Sequence, residues 1–345
     1  EELKKQSWVR ETPFEPVKVK DMGNRISALA VNPANASHFV VAPHQGGVWL
    51  TQNGGETYRE LCTTLPSQTI TALAMNWQSG MLAVATPYGL FVSTDNGKTV
   101  DFKGLAGSKH ITAIYLSPSN PQEIVVGVLG NKYKTDEKRG IFKSSDGGKT
   151  WQQKLFVGTR TGISDIVATP DGSTLLATAW EINDSPWNSV PYGSNSAIYK
   201  STDKGNTWTK ITANNGFLKG NAIGRIGISC VDAQTYYAVV DNRNYKKKES
   251  NNSLQKQTHL QLTAQDFDGM SKSDFLALDN SRLNRFLYNI GENKRYTAQH
   301  LKDIISAEVT SPSKLLNFLG TSEKEVIGAE VYLTTDGGTS WQKTN

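Results

Sequence analysis

An octapeptide that recurs along the chain constrains its fold more than any other feature. It occurs at 51–58 (TQNGGETY), 93–100 (STDNGKTV), 144–151 (SSDGGKTW), 201–208 (STDKGNTW) and 334–341 (TTDGGTSW). The consensus Ser/Thr-x-Asp-x-Gly-x-Thr-Trp reads as a hairpin turn. The third side chain can accept hydrogen bonds from the turn's own N–H groups. The glycine two residues later permits a positive φ, and the final tryptophan offers a flat apolar surface for packing. Asn53, Asp95, Asp146, Asp203 and Asp336 are therefore expected to be structural, although the four aspartates are the most conspicuous acids of the chain. Asn53 for Asp and Val100 for Trp are departures that a structural turn tolerates.

Each octapeptide follows a short β-rich run, at 47–50, 89–92, 140–143, 197–200 and 330–333. Upstream lie runs that mix small and aliphatic residues, at 26–31, 70–75, 111–116, 163–168 and 226–229, and these suit a crowded innermost strand. A further strand follows at 39–41, 82–84, 124–126, 175–177 and 236–239. Every unit thus reads as strand A, strand B, strand C, turn, strand D. Four short antiparallel strands repeated radially make a propeller blade. The expected fold is an all-β propeller with five visible blades.

The period changes between residues 241 and 330. Ser271 and Asp274 offer helix caps before Phe275, Leu276 and Leu278. Leu283, Phe286, Leu287 and Ile290 fall at helical spacing and Gly291 can end that helix. Thr297 caps a second stripe of Leu301, Ile304 and Ile305. Ser311-Pro312 opens a third, with Leu315, Leu316, Phe318 and Leu319 before Gly320. The expected organisation is propeller over 1–243, a helical insertion with a core of its own over 244–328, and the end of blade five over 329–345.

Composition narrows the function classes. The 345 residues carry a formal charge of +5. The densest basic cluster, Lys246-Lys247-Lys248, sits among Asn and Ser like a solvated linker. No basic stripe with aromatic or helical context points to nucleic acid. No run approaches the roughly 18 apolar residues of a membrane span. The opening Glu1-Glu2-Leu3-Lys4-Lys5 lacks a signal-peptide pattern, which suits a processed chain as well as a cytosolic one. Cys62 and Cys230 lie in different repeats without metal-ligand spacing, and Cys230 reads as a small buried hydrophobe. Neither a metal nor a cofactor is expected.

In a blade, D-to-A and B-to-C connections share one face and the octapeptide turns lie on the other. The B-to-C loops grow along the chain, from tight turns at 43–45 and 87–88 to 130–139, 181–196 and the helical insertion. Loops on a rigid scaffold are where binding concentrates. Arg25, Arg160 and Arg225 precede inner strands on that face, where three guanidinium groups can clamp a carboxylate. His44, Gln45, Trp180, Glu181 and Trp187 belong to the same rim, and its aromatics can stack on sugar rings or peptide side chains. His110 reads as an ordinary loop histidine. Asp136, Asp165, Glu181 and Asp184 are the acids of the face, and no pair stands out by spacing. Elbow, zinc and phosphate-loop motifs are absent, and no catalytic residue is assigned.

The run RGIFKSSDGGKTWQQKLF, with TGISDI, ATAW, PW and SAIYKSTDKGNTW, resembles the sortilin-type (VPS10-like) Asp-box, or BNR-repeat, propellers of bacteria. NRISALAVNP, GGVWLTQNGG, IGRIGIS and VIGAEVYLTTDGGTSW are similar to the same family, so the resemblance spans essentially the whole chain. It implies a secreted, periplasmic or cell-surface bacterial protein, often labelled a glycosyl hydrolase by analogy. It also implies larger rings, so further blades or a protein partner are expected against the unit ending at Trp341. A strand at 13–19 would complete a terminal blade or cover an edge. Xyloglucanase-type propellers carry a catalytic Asp in the first blade before Gly-Gly, where this chain has His44-Gln45 before Gly46-Gly47. Sialidases open with Arg-Ile-Pro, where this chain has Arg25-Ile26-Ser27. The resulting expectation is a non-catalytic binding or assembly propeller. The alternative is a glycan-active hydrolase with part of its site outside the chain.

Overall fold

The computed structural model describes residues 25–108, 110–185, 188–212, 216–247, 262, 264–267, 269–315 and 324–344. The strand expected at 13–19 lies outside them. Blade one is β1 (Ile26–Asn32), β2 (Asn35–Pro43), β3 (Val48–Thr51) and β4 (Arg59–Leu61). Blade two is β5 (Ala72–Asn76), β6 (Met81–Thr86), β7 (Gly89–Ser93) and β8 (Asp101–Phe102). Blade three is β9 (Ile111–Leu116), β10 (Ile124–Val128), β11 (Gly140–Ser144) and β12 (Gln152–Leu155).

Blade four opens with β13 (Thr161–Ala168) and β14 (Leu175–Glu181). Its B-to-C loop, one of the enlarged ones, folds partly into a hairpin of β15 (Asn183–Ser185) and β16 (Asn188–Val190) before β17 (Ala197–Ser201) and β18 (Thr209–Lys210). Blade five is β19 (Ile223–Cys230), β20 (Tyr236–Lys247), β21 (Lys324–Thr334) and β22 (Gln342–Lys343). Each blade is a four-stranded antiparallel meander, and the inner strands β1, β5, β9, β13 and β19 pack in that series.

The core lies between blades. Successive residues of a strand point to opposite faces, and in the interior blades both faces are covered. In β6, Leu82 and Val84 pack toward blade one, and Met81, Ala83 and Ala85 toward blade three. In β10, Ile124, Val126 and Val128 face blade two while Val125 faces blade four. In β14, Leu175, Ala177 and Ala179 face blade three and Leu176 faces blade five. Two covered faces explain why these strands are apolar throughout rather than alternating.

The terminal blades differ. In β20, Tyr236, Ala238 and Val240 are buried against blade four, whereas Tyr237 and Val239 are 43% and 47% exposed. On blade one, Ile26, Leu29 and Val31 of β1 are likewise exposed.

The octapeptides form the turns expected of them. Asp146 accepts hydrogen bonds from the N–H groups of Lys149 (3.0 Å) and Thr150 (2.9 Å) and from the hydroxyls of Ser144 (2.7 Å) and Thr150 (2.6 Å). Asp95, Asp203 and Asp336 repeat the pattern. Asn53 keeps it by donating its amide N–H to Thr57 Oγ1 at 2.9 Å. The hydroxyl and N–H of Ser340 and the hydroxyl of Thr334 hold the Asp336 carboxyl down to about 2.

The closing tryptophans lock neighbouring blades. Trp151 donates to Lys103 O at 2.7 Å and Trp341 to Ile211 O at 3.1 Å. Asp146→Ala is therefore expected to lower the melting temperature and leave ligand affinity at the opposite face unchanged. Calorimetry and titration on the same sample check this, and lost binding at unchanged stability would remove the structural assignment.

The second compact unit, Asn244–Ile327, carries α1 (Lys272–Ala277), α2 (Asn280–Asn289) and α3 (Ala298–Ser306). Ser271, Asp279 and Thr297 cap them through side-chain oxygens. Its core joins Phe267, Phe275, Leu283, Phe286, Leu301 and Leu315 and is separate from the blades' clusters. Ser311-Pro312 opens only a 3-10 turn (Pro312–Lys314), and Leu316, Phe318, Leu319 and Gly320 lie outside the described residues.

Candidate binding site at the channel mouth

Pairing register brings the ends of several strands to one face. Ile26 pairs with Pro43, so Arg25 and His44 stand opposite each other, and His44 N–H donates to Arg25 O at 2.9 Å. The His44 ring lies 3.3 Å from Ser27 Oγ. In blade three, His110 precedes β9 with a φ of 65°, and its carbonyl accepts from Leu129 N–H at 2.9 Å. A left-handed backbone at a non-glycine residue is costly, and such residues cluster at functional sites. In blade four, Gly162 pairs with Trp180, whose indole N–H donates to Pro191 O at 2.6 Å. In blade five a register shift between Ile223 and Ile226 releases Arg225, whose guanidinium sits 5.7 Å from the centre of the Trp180 ring. That contact is a cation–π pair.

These groups act on one another. Water reaches the His110 ring, yet the protein crowds it enough that partial burial lowers its pKa, and the positive charges of Lys132, Arg225, Arg25 and His44 lower it further. Charges from blades one, three and five thus act on His110. Among the described residues, none of Arg25, Lys132 and Arg225 has a carboxylate within ion-pair distance. Two acids lie near Arg225: Asp165, midway along β13, and Asp241, whose carboxylate stands against Gly224 and pairs with Arg243 Nε at 2.6 Å. Burial raises the pKa of Asp165, while the Ile166 N–H (2.9 Å) and the charge of Arg225 oppose the rise.

The remaining rim residues fall elsewhere. Arg160, grouped with Arg25 and Arg225 by sequence position, instead donates from Nη1 to Asn183 Oδ1 and is not among the charges acting on His110. The β15–β16 hairpin supplies that partner. Gln45 is exposed, and Trp187 lies outside the described residues. Glu181 is spent on its own loop, its Oε2 accepting from Asn195 N–H at 2.9 Å. Asp184 accepts from Ser189 Oγ at 2.5 Å, and Asp136 from the N–H groups of Asn131 (3.2 Å) and Lys138 (2.9 Å). Sequence reasoning passed over His110 and Lys132 because their neighbours come from other blades. Two shallow clefts open among the octapeptide turns, one beside Asn53, Thr57 and Arg59 and one beside Lys200, Thr209 and Gly337. Neither includes a residue of the mouth. No group of His, Cys, Asp and Glu among the described residues is arranged to hold a metal. No described helix is long and apolar enough to cross a membrane.

No family model matches the chain, and no curated protein matches it. Among solved structures it is similar to the GH74 enzyme of Niastella koreensis, with a TM-score of 0.52 and 18% identity over 92% of this chain and 38% of that one. It is also similar to the GH74 xyloglucanase of Xanthomonas campestris, with a TM-score of 0.51 and 15% identity over 93% of this chain and 38% of that one. The fold is a β-propeller. At these identities the likeness speaks to fold alone, and the chain spans 38% of the length of either structure.

Proposed function

We propose that this chain is a non-catalytic binding and assembly propeller of the sortilin-like kind, working outside the cytoplasm, with its ligand site at the channel mouth. The observation that carries the reading is the make-up of that mouth. Cations of blades one, three and five act on His110 there, and the acids Glu181, Asp184, Asp136 and Asp241 are engaged by neighbouring residues. Glycoside hydrolysis needs two carboxylates, about 5 Å apart for retention or about 6.5–9.5 Å for inversion. The groups that shift Asp165 are its burial, Ile166 and Arg225, and no carboxylate is among them.

Assembly enters through the apolar faces of the terminal blades. The occupant we assign to the blade-five face is a further propeller blade, because that is what covers the matching face of blades one to four. A second copy of the chain would bring the ring to ten blades, against the roughly four to eight usual for propellers.

A glycan-active hydrolase is the second reading. Two GH74 enzymes share the fold, and the specific feature that favours this reading is the raised pKa of Asp165, a property suited to a general acid. Incubation with a panel of oligosaccharides that includes xyloglucan separates the two. The expected result is no turnover, and hydrolysis that vanishes in Asp165→Asn or Glu181→Gln would establish the second reading instead.

A further inference from the structure

Blades three and four share a device at the octapeptide face and complete it differently. Lys143 and Lys200 hold matching places, each one residue before the octapeptide and each reaching the turn of the next blade. In blade three the ammonium is neutralised. Lys143 Nζ lies 3.5 Å from Glu123 Oε1 and 3.2 Å from Asn206 Oδ1, and Lys204 approaches the same carboxylate at 3.9 Å. Around Lys200 all three partners are smaller. Thr174 holds the place of Glu123, and Gly337 and Thr339 hold those of Lys204 and Asn206. What remains is a cleft of about 350 Å³ whose lining includes Lys200, Thr202, Thr209, Gly337 and Thr339.

Lys200 is half-buried there, its Nζ donating to Gly337 O at 3.0 Å and lying 5.7 Å from the centre of the Tyr236 ring. Among the described residues no carboxylate stands within ion-pair distance of it. Asp203 and Asp336 of the flanking turns are held by donors of their own turns. A partly buried ammonium with neutral partners alone is an unbalanced charge. We infer that this cleft binds a uronate, a sugar bearing a carboxylate, at a site separate from the channel mouth. The carboxylate takes on Lys200 the place that Glu123 takes on Lys143, using the two ammonium N–H groups not given to Gly337. One ammonium balances one negative charge, which suits a carboxylate better than a phosphate dianion. Pairing register sets Thr209 opposite Lys200, and Thr202 lines the cleft beside it. Neither hydroxyl has a hydrogen-bond partner among the described residues, so both are open to the hydroxyls of a sugar ring.

Calorimetric titration of the whole chain with glucuronate, glucose, acetate and inorganic phosphate tests this. Glucuronate should bind at least tenfold more tightly than the other three, and more weakly as salt is raised. Lys200→Leu should abolish that binding while the chain still unfolds cooperatively, because leucine holds the matching place in blades one and five, at Leu50 and Leu333. Thr174→Glu should weaken it at least tenfold with Lys200 intact, since it rebuilds the Glu123 arrangement within the chain. Failure of glucuronate to bind, equal binding of glucose, acetate or phosphate, or parental binding by the Lys200→Leu chain would each overturn the inference. Binding lost in Arg225→Gln and kept in Lys200→Leu would place the ligand at the mouth and overturn it too. The oligosaccharide panel reads turnover, so its outcome and this one are independent.

Discussion

Arg139→Met is expected to cost roughly 2–4 kcal/mol of folding stability, because buried acceptors that lose a charged donor are left unsatisfied. Arg139 is wholly buried just before β11. Its Nη1 donates to Leu129 O at 2.6 Å, and its Nη2 to Asn131 O at 2.5 Å and Lys134 O at 3.3 Å. Burial lowers its pKa while the charge of Asp136 opposes that shift, and a guanidinium stays charged at neutral pH all the same. One side chain therefore ties together the carbonyls of Leu129, Asn131 and Lys134 at the start of the 130–139 loop.

Methionine fills a similar volume but donates nothing, so the loop's carbonyls are left facing protein. Lysine keeps the charge yet cannot fork between carbonyls, so Arg139→Lys should fall between the two. Urea unfolding followed by tryptophan fluorescence gives the stabilities. An Arg139→Met chain as stable as the parent would show that the loop holds itself.

This residue also marks where the sequence stops being legible. The turns were readable because the octapeptide is a local device: every partner of Asp146 lies within four residues of it. The strands were readable because the inner and second strands of a blade covered on both faces are apolar at nearly every position. Arg139 looks like part of a solvated loop, since it follows Lys134, Asp136, Glu137 and Lys138, and only the packing of blade three reveals its burial.

The mouth was half legible. Arg25 and Arg225 follow from the rule that inner strands begin at one face. His110 and Asp165 gain their character from burial first and then from charges that include Arg225 of blade five, and no local pattern in the chain encodes either. Arg160 shows the converse: its position in the repeat is right, but a neighbouring loop supplies Asn183 and takes it away. Glycine can be as decisive. A Cβ on Gly162 would lie 2.2 Å from Leu129 O, so the blade-three to blade-four contact beside the mouth depends on a missing side chain.

Val239→Asp and Leu176→Asp should have opposite consequences, although the two residues lie on matching faces of successive blades. Leu176 points from β14 toward blade five and is fully buried in the shared cluster. An aspartate there would be an unpaired buried charge, which folding does not tolerate, so Leu176→Asp should abolish the cooperative transition. Val239 points from β20 to the other side, beside Tyr237, and nearly half of its surface is open. In the 345-residue chain alone, Val239→Asp should therefore leave the melting temperature unchanged. It should also suppress binding of a hydrophobic dye and concentration-dependent self-association, because a flat apolar sheet face is an aggregation liability. Once a further blade covers this face, the same substitution should destabilise as an interior one does, since covering the face turns Val239 into a second Leu176. Light scattering, dye binding and thermal unfolding of both variants make the comparison. If the chain is a closed, soluble monomer in which Val239→Asp unfolds it as readily as Leu176→Asp, blade five already has its neighbour and no further blade is needed.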